Sequence, residues 1–423
     1  MNARRIPAKA LLITIVIILL ITAITSSLVL YFYFQQQIWN NTVIEVQLQS
    51  DVDAGILLMM KEEAKVSSLT DTGYVIDLYQ NEEHIVTMNK QQWGAFYLVR
   101  SLAKKRNITK EQVAFAGYPL KDTLTALYLS DQHSPLVFTD QSQIVGDCYL
   151  PRLGYKRAYF EGKTYRTDNI INSDIKESDK ELPKLDSSIL NSLTNYKNLI
   201  LQGNLSYFRY QDLVDDSLEQ SFSKQPLIFH SSQTIHIRNK VLKGKIIIIS
   251  DKAIYIESTT ILNDIILIAP KVFTKKGVKG SFQVFASDTI YIGKQNDLAY
   301  PTNLFLLVND SSSLNPYMHI DSGSKITGAI LNYVPVEIGF NLKAFFASAS
   351  LIKGFFYSNG LVCPKGTING IAYCKQFYLE TARGYYLNYI NNAHFNRPKL
   401  NRQYVNPILM NREQQSTVVK WLY

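Results

Sequence analysis

Histidine and cysteine, which often serve as catalytic residues or metal ligands, are few in this 423-residue chain and widely scattered along it. No Cys and His residues stand at the spacing that a tetrahedral zinc site needs. The sequence also lacks the GxSxG, HExxH and P-loop motifs, which mark serine nucleophiles, zinc proteases and phosphate-binding loops. Two of the histidines, His230 and His236, could meet on adjacent strands, although solvent-facing histidines are commoner. The six histidines are His84, His133, His230, His236, His319 and His394.

Carboxylates are the next candidates, because paired acids serve glycoside hydrolysis and clustered acids bind Ca²⁺ through their oxygens. The closest groups are "NEEH" at 81–84 and "VDD" at 214–216, and both patterns are typical of a solvated turn. The sequence therefore predicts that the protein is not an enzyme, and that it has no catalytic residue, no metal and no cofactor.

Three cysteines are too few for a disulfide scaffold. Cys363 and Cys374 are 11 residues apart, so a disulfide between them is allowed if this part of the chain lies outside the cytoplasm. The alternative is that Cys363 and Cys374 are two small buried apolar side chains.

The strongest structural signal lies near the N-terminus. Residues 10–34, "ALLITIVIILLITAITSSLVLYFYF", carry no charge and are long enough as a helix to span a hydrocarbon layer about 30 Å thick. We therefore predict a single membrane-spanning helix. A cleaved signal peptide is the alternative, although its apolar core would be shorter.

The charges around this segment predict its orientation. Arg4, Arg5 and Lys9 precede it, and the next charged side chain is Glu45. By the positive-inside rule the N-terminus is then cytoplasmic. The sequence predicts a bacterial inner-membrane protein whose residues 35–423 are periplasmic.

Residues 35–63 continue beyond the membrane segment with the spacing of an amphipathic helix. Its apolar positions are Ile44, Val46, Leu48, Val52, Ile56, Leu57 and Met60. This layout over residues 1–63, a short basic leader, an apolar helix and an amphipathic helix that leads to a head, resembles the minor pilins and pseudopilins of type IV pili and type II secretion systems. The resemblance implies a structural or assembly component of such a machine.

Two features of that family are absent from this chain. No glycine precedes the apolar segment, so Ala8 or Lys9 would stand at the leader cleavage position. If cleavage followed Lys9, Thr14 would stand where the family carries a glutamate.

The rest of the chain contains an irregular repeat, in which an aliphatic residue, a spacer and usually a glycine precede an alternating apolar run. From Leu242 onward the repeats begin 20, 16, 48, 26 and 16 residues apart, at Leu242, Leu262, Val278, Ile326, Ile352 and Ile368, and Ile144 begins an earlier one. A second strand pattern, including "TIHIRN" at 234 and "AIYIES" at 253, recurs at intervals of 19, 18 and 18 residues. Two strand types that alternate at this period predict a parallel β-solenoid, because one coil alone cannot cover its apolar side chains.

Glycine recurs at one position of this repeat, where we expect a corner that would strain or crowd a Cβ. The predicted structural glycines are Gly146, Gly244, Gly280, Gly328, Gly354 and Gly370. The pattern over 242–376 also resembles the bactofilins, which are self-assembling bacterial cytoskeletal proteins, and this resemblance implies an envelope scaffold as an alternative function.

The segments between and beyond these repeats complete a mainly β architecture. "QQWGAFYLVRSLAKKRNI" has helical periodicity, and a second helix is predicted at "SSILNSLTNYKNLI". The predicted order is a cytoplasmic N-terminus at 1–9, the membrane helix at 10–34, the amphipathic helix at 35–63, a small α+β region at 64–125, first solenoid coils at 126–165, an insertion at 166–225, the β-solenoid at 226–380 and a C-terminal cap or tail at 381–423.

Surface composition narrows the class of partner. The formal charge of +9 comes from scattered Lys and Arg residues, so we predict no nucleic-acid binding. Aromatic ladders that suit glycans or proteins are predicted from Tyr255, Tyr291, Tyr333, Phe356, Tyr357 and Tyr373. The sequence thus favours a non-enzymatic assembly protein, whose partners are other proteins or further copies of itself, over a protein that binds or modifies polysaccharide.

Overall fold

The computed structural model describes residues 8–61, 73–78, 84–120, 124–159, 165, 170–203, 206–308, 315–335, 342–382, 384–410 and 415–422. The chain is mainly β structure with one long N-terminal helix, as the sequence predicts. Arg4 and Arg5, on which the predicted orientation depends, lie outside the described residues.

The elements follow one another along the chain in four groups. Helix α1 (Ala8–Met59) precedes β1 (Tyr74–Asp77), β2 (Ile85–Trp93), β3 (Phe96–Lys105) and β4 (Ile108–Pro119). Six short strands come next: β5 (Thr125–Leu129), β6 (Leu136–Thr139), β7 (Gln143–Val145), β8 (Asp147–Leu150), β9 (Tyr155–Arg157) and β10 (Ile175–Glu177). Two short helices, α2 (Ser187–Thr194) and α3 (Tyr196–Gln202), then precede β11 (Tyr207–Arg209), a 3₁₀ turn (Tyr210–Asp212), β12 (Ser217–Gln220), β13 (Leu227–Ser231), β14 (Ile235–Ile237), β15 (Val241–Gly244), β16 (Ile246–Ser250) and β17 (Ala253–Ile256). The last group is β18 (Ile261–Thr274), β19 (Lys279–Ile292), β20 (Asp297–Leu307), β21 (Tyr317–Ile320), β22 (Lys325–Tyr333), β23 (Lys343–Phe346), β24 (Leu351–Pro364), β25 (Thr367–Thr381), β26 (Gly384–Leu387), β27 (Tyr389–Asn391), β28 (His394–Asn396), β29 (Val405–Asn406) and β30 (Thr417–Leu422).

Two compact units are present, and the first contains α1 as far as Leu57 together with residues 74–88 and 101–112. In this unit β1 pairs antiparallel with β2. Helix α1 is long and apolar enough to cross a membrane, since its most apolar 18-residue window has a mean hydropathy of 2.7 and is not buried at all.

The second unit contains residues 89–100 and everything from residue 113 onward. Most of its strands pair in parallel and form a sheet that closes on itself. The paired strands line up in three rows, and each row is a series of strands, or parts of strands, that pair side by side. A long strand contributes successive parts of its length to successive rows. Row 1 contains β15, β28, β7 and the first parts of β18, β19, β20, β22, β24 and β25. Row 2 contains β13, β16, the middle parts of the long strands, β5, β8 and β10. Row 3 contains β14, β17, β21, β23 and the last parts of β18, β19, β24 and β25.

The core of this unit consists of inward side chains that repeat at equivalent positions of each row. In row 2, for example, a column of paired residues runs through Phe229, Ile248, Leu267, Val284, Leu304, Ile330, Phe356 and Ala372. All of these side chains belong to one buried cluster. Their burial supplies the main stabilisation, at about 25 cal/mol per Å² of apolar surface removed from water.

Strands from early in the chain extend the rows beyond β25. Leu127 pairs with Ala372, and Cys148 pairs with Leu127. In row 1, Ile144 pairs with Phe395, which in turn pairs with Ile368. The segment that contains β5–β10 therefore stacks on the strands near the C-terminus, although it precedes β11 in sequence.

Two sequence-based assignments need correction. The segment 91–108, predicted to be helical, forms the end of β2, all of β3 and the first residue of β4, because Gly94 turns the chain with φ +59° and the flanking aromatic and β-branched residues fit a sheet. The repeat at Val278 is also out of register, since Leu262 pairs with Gly280 across a bulge at Asp264. The helix predicted near residue 190 is present as α2 and α3, and the Asp186 side chain caps α2.

Candidate functional site

Helix α1 of the first unit has two apolar faces beyond the membrane segment. One face is buried and contains Ile44, Leu48, Val52 and Ile56. On this side Gly55 lets the helix approach the strands closely, because a Cβ there would lie only 3.0 Å from Val86 Cγ1. These four residues belong to the predicted amphipathic stripe, but the prediction was wrong for Val46 and Leu57, which are exposed because they lie on the opposite side of the helix.

A polar contact between Asp51 and His84 on the same side of α1 joins the helix to the strands. Asp51 is 3 % exposed, and its Oδ1 lies 2.8 Å from Nδ1 of His84. The side-chain amide of Gln47 lies 3.1 Å from the other ring nitrogen of His84. His84 is therefore a structural residue that orients α1.

The second face of α1 is exposed and carries four large apolar side chains, with the polar residues Ser50 and Asp53 between Val46 and Leu57. Trp39 is 69 % exposed, Val46 is 67 % exposed and Leu57 is 61 % exposed, and Val43 lies beside them. At about 100° per residue these four side chains lie on the side of the helix opposite the buried stripe. Exposed apolar side chains aligned on one face mark a surface that fits another apolar partner, and we call Trp39, Val43, Val46 and Leu57 the outer stripe.

The six predicted structural glycines lie at close contacts between neighbouring strands of the second unit. Gly328 has φ +150°, and a Cβ built on it would collide with the carbonyl oxygen of Thr302. A Cβ on Gly354 would collide in the same way with Gly328, and one on Gly370 with Gly354. Gly146, Gly244 and Gly280 likewise face the carbonyl oxygens of Leu124, Gln220 and Leu262. These glycines allow the close stacking of neighbouring strands.

Row 3 carries a ladder of aromatic rings on its outer surface. Neighbouring ring centroids lie 4.7 to 6.4 Å apart, and four of the five contacts have interplanar angles of 8° to 18°. The rings belong to His236, Tyr255, Phe273, Tyr291, His319 and Phe345. Each such contact contributes about 0.5 to 1.5 kcal/mol beyond burial, so the ladder reinforces the pairing of the strands.

This geometry bears on the predicted binding of glycans. A sugar that stacks on an aromatic side chain needs an open ring face, whereas the inner rings of the ladder cover one another's faces. Of the other predicted ladder residues, Tyr333, Tyr357 and Tyr373 form a separate series in row 2 with centroids 6.3 Å apart. Phe356 belongs to the core and is not exposed.

His319, one of the two histidines in this ladder, has an environment that favours its neutral form. Burial lowers the pKa of His319, although the Asp321 carboxylate acts in the opposite direction. The ring nitrogen Nδ1 of His319 lies 2.9 Å from the Tyr317 hydroxyl. The imidazole therefore serves as a stacked ring with one hydrogen bond.

The arrangement nearest to a catalytic one surrounds Asp251, which follows β16. Its Oδ1 accepts hydrogen bonds from Lys197 Nζ at 2.6 Å and from His230 Nε2 at 3.1 Å. Burial acts to raise the pKa of Asp251, but these two donors outweigh burial and lower it. A lysine stands where a catalytic triad has a hydroxyl or thiol, and the contacts of Lys197 and His230 with Asp251 fasten α3 to row 2. His236 stacks on Tyr255, so the two histidines that could have met have different partners.

The cysteines offer no reactive thiol. Cys148, Cys363 and Cys374 are buried free thiols. Burial raises the pKa of Cys148 to about 12 and that of Cys363 to about 11. The disulfide that the sequence allowed is not formed, because Cys363 packs with Tyr378 outside the main core whereas Cys374 lies within it.

Lys245 is a feature that sequence analysis missed. It follows the corner glycine Gly244 and is only 5 % exposed, and its Nζ donates to the carbonyl of Phe222 at 3.4 Å. Burial, together with the smaller effect of the nearby Arg100 charge, lowers the pKa of Lys245 to about 8. Its one sequence signal was a charge placed directly before the apolar run "IIII".

Replacing Lys245 with methionine should stabilise the protein at pH 7 by about 2 kcal/mol, because the buried ammonium is costly and methionine fills similar space. Between about pH 8 and pH 10.5 the unfolded lysine binds a proton that the folded one has released, so wild-type stability rises with pH there. The gain from the substitution should shrink by about pH 9.5. Urea unfolding of both proteins at the two pH values measures this change. Lys243→Met, at an exposed position two residues earlier, is the control, and an equal gain in that variant would contradict the prediction.

Within the described ranges, no group of three His, Cys, Asp or Glu side chains is placed to hold a metal ion. Comparison with known proteins adds no candidate, since no protein-family model, curated protein or solved structure matches the chain. The outer stripe of α1 is therefore the strongest candidate for a functional surface.

Proposed function

We propose that this protein is a non-enzymatic, membrane-anchored structural component of a bacterial envelope machine of the type IV pilus or type II secretion class. The observation that carries the proposal is α1, a single 52-residue helix with an unburied apolar N-terminal part and two opposite apolar faces beyond it. One of these faces holds the first unit together, and the other remains for a partner.

In this proposal α1 crosses the inner membrane with its basic N-terminus in the cytoplasm. The apolar segment exposes side chains such as Ile17, Leu19 and Ile24 by about half or more, which is costly in water and favourable in lipid. Tyr31 to Phe34 would then lie at the outer interface, where aromatic rings are enriched. Residues from 35 onward would form the periplasmic head.

We further propose that the three rows of the second unit are the sides of a parallel β-solenoid. Support comes from the pairing intervals, since Leu242 pairs with Leu262 and Ile352 pairs with Ile368. Each strand buries its inward side chains against the equivalent strands before and after it. A solenoid of this kind presents long exposed sides, which suit a scaffold more than a cleft enzyme.

The outer stripe supports assembly with another helix. Trp39, Val43, Val46 and Leu57 are spaced by four, three and eleven residues, and this spacing keeps them on one narrow face of a helix. Helices that present such a face usually bury it against a second helix. In this proposal the partner contributes a parallel helix that emerges from the same membrane.

Site-specific photo-crosslinking in intact cells tests this function. A photoreactive side chain at Val46 should give an adduct with a membrane-anchored partner, whereas the same group at Glu45 should give little, because these neighbouring exposed positions point about 100° apart. Equal yields at both positions, or no adduct from membrane-inserted protein, would overturn the proposal. Adducts only between copies of this chain would favour the self-assembling scaffold instead.

A further inference from the structure

A polar groove lies between α1 and the β3–β4 turn of the first unit. Its volume is about 530 Å³, and its lining includes Gln36, Gln37, Asn40 and Asn41 from α1 and Arg106 and Asn107 from the turn. No aspartate or glutamate lines it. The groove therefore combines one cation with several amide donors, which is a suitable environment for an anion.

The β3–β4 hairpin is fastened beside α1, so the turn has a defined position. Lys105 Nζ donates to Gln47 Oε1 at 3.3 Å, and Lys110 Nζ lies 3.5 Å from Glu45 Oε2. Farther along the helix, Ser101 lies close to Gly55. From Ser101 to Arg106 the strand thus descends along α1 toward the apolar segment.

Arg106 itself adopts a strained backbone conformation. Its φ is +55°, a region that L-residues other than glycine, asparagine and aspartate seldom occupy. A non-glycine residue in this region costs of order 1 kcal/mol, and the tight two-residue loop between β3 and β4 imposes this conformation. The conformation places an exposed guanidinium at the tip of the hairpin.

The groove lies at the height of lipid headgroups if α1 crosses a membrane. The apolar segment ends at Phe34, and Gln36 to Asn41 follow it by about 3 to 10 Å at 1.5 Å per residue. The headgroup layer of each leaflet begins at the hydrocarbon boundary and is roughly 5 to 7 Å thick. The amide-rich face of α1 therefore lies at the level of lipid phosphates and just above it.

We infer that this groove binds the phosphate of an anionic membrane lipid, with Arg106 as the main cationic contact. The inference rests on the proposed membrane anchor. Arginine suits the role because its planar guanidinium donates two parallel hydrogen bonds to a phosphate. The bound lipid fixes the head at a set height and rotation above the bilayer, and so orients the outer stripe toward its partner.

Native mass spectrometry of the full-length protein in neutral detergent tests this inference. Titration with phosphatidylglycerol should give a saturable adduct, and diacylglycerol with the same acyl chains, which lacks the phosphate, should bind at least about five-fold more weakly. Arg106→Asn should weaken phosphatidylglycerol binding by about five-fold or more, since asparagine tolerates the turn conformation but removes the charge. Arg238→Asn, at an exposed position in the second unit, is the matched control and should leave binding unchanged.

Three results would overturn the inference: equal binding of the two lipids, equal loss in Arg106→Asn and Arg238→Asn, or displacement of the lipid by inorganic phosphate in excess. The last result would indicate a site for a soluble anion. Carbonate extraction of membranes tests the anchor separately. A protein that stays in the membrane but does not prefer phosphatidylglycerol would contradict the lipid site in the groove and leave the membrane anchor intact. A protein that carbonate releases contradicts both.

Discussion

Replacing Gly328 with alanine should destabilise the protein by about 3 to 5 kcal/mol, which is a large fraction of the stability of a typical domain. The new Cβ would collide with the carbonyl oxygen of Thr302. That carbonyl cannot move aside easily, because β20 pairs with β19 on one side and with β22 on the other. The φ of +150° adds strain, since this region is occupied almost only by glycine.

Denaturant unfolding followed by circular dichroism measures this loss, and Gly277→Ala is the matched control. Gly277 also has a positive φ, of +81°, but no atom lies within 4 Å of the position of its Cβ. The control should therefore show only the conformational cost, about 1 to 2 kcal/mol. If the two variants were equally stable, steric contact between strands would not be the reason for glycine at this position.

The collision at Gly328 explains why this part of the fold could be anticipated from sequence. A tight approach between strands excludes every side chain, so it leaves a glycine at the same place in successive repeats. The repeats also predict which residues pair: Leu242 is a neighbour of Leu262, and Ile326 is a neighbour of Ile352. Such columns arise because each inward position must contact its equivalent in the next strand.

Other parts of the fold could not be predicted in this way. In row 1, Leu298 pairs with Gly280 on one side and with Ile326 on the other. The sequence around Leu298 lacks the glycine of the repeat, so this strand was not recognised as a repeat. The stacking of β5–β10 beyond β25 is also absent from any local pattern, because pairing between distant segments leaves no periodic signal in either one. The segment that contains Phe96 has apolar spacing compatible with both a helix and a strand buried on both faces, and the turn at Gly94 decides between them.

The candidate sites, like the fold, could be predicted from the sequence only in part. Alternation in the sequence indicated that Tyr255 and Tyr291 face outward, but it could not show that neighbouring rings cover each other's faces. Phe356 follows the same local pattern and points into the core. The groove at Arg106 was not predicted, because it forms between residues far apart in sequence and depends on a backbone conformation that the residue type disfavours.

Placing two arginines in the centre of the apolar segment should release the protein from the membrane. In Ile18→Arg/Ile21→Arg each substitution costs about 3 to 4 kcal/mol of insertion free energy, so the pair costs about 6 to 8 kcal/mol. The two positions lie on one side of α1 and are 56 % and 55 % exposed, so no contact within the protein compensates for the change. Carbonate extraction of bacterial membranes measures the result, and most of the variant should appear in the soluble fraction or be degraded.

The matched control adds the same charge just beyond the apolar segment, as Gln35→Arg/Gln36→Arg. This variant should stay in the membrane pellet, because arginine at that depth extends into the headgroup layer. The comparison separates the hydrophobic anchor from the headgroup contact at Arg106, since the control keeps the anchor and adds positive charge beside the groove. If the central arginines left the protein in the pellet, the head would have to be held by another membrane component, and α1 would be a helix that packs on that partner and not a membrane span.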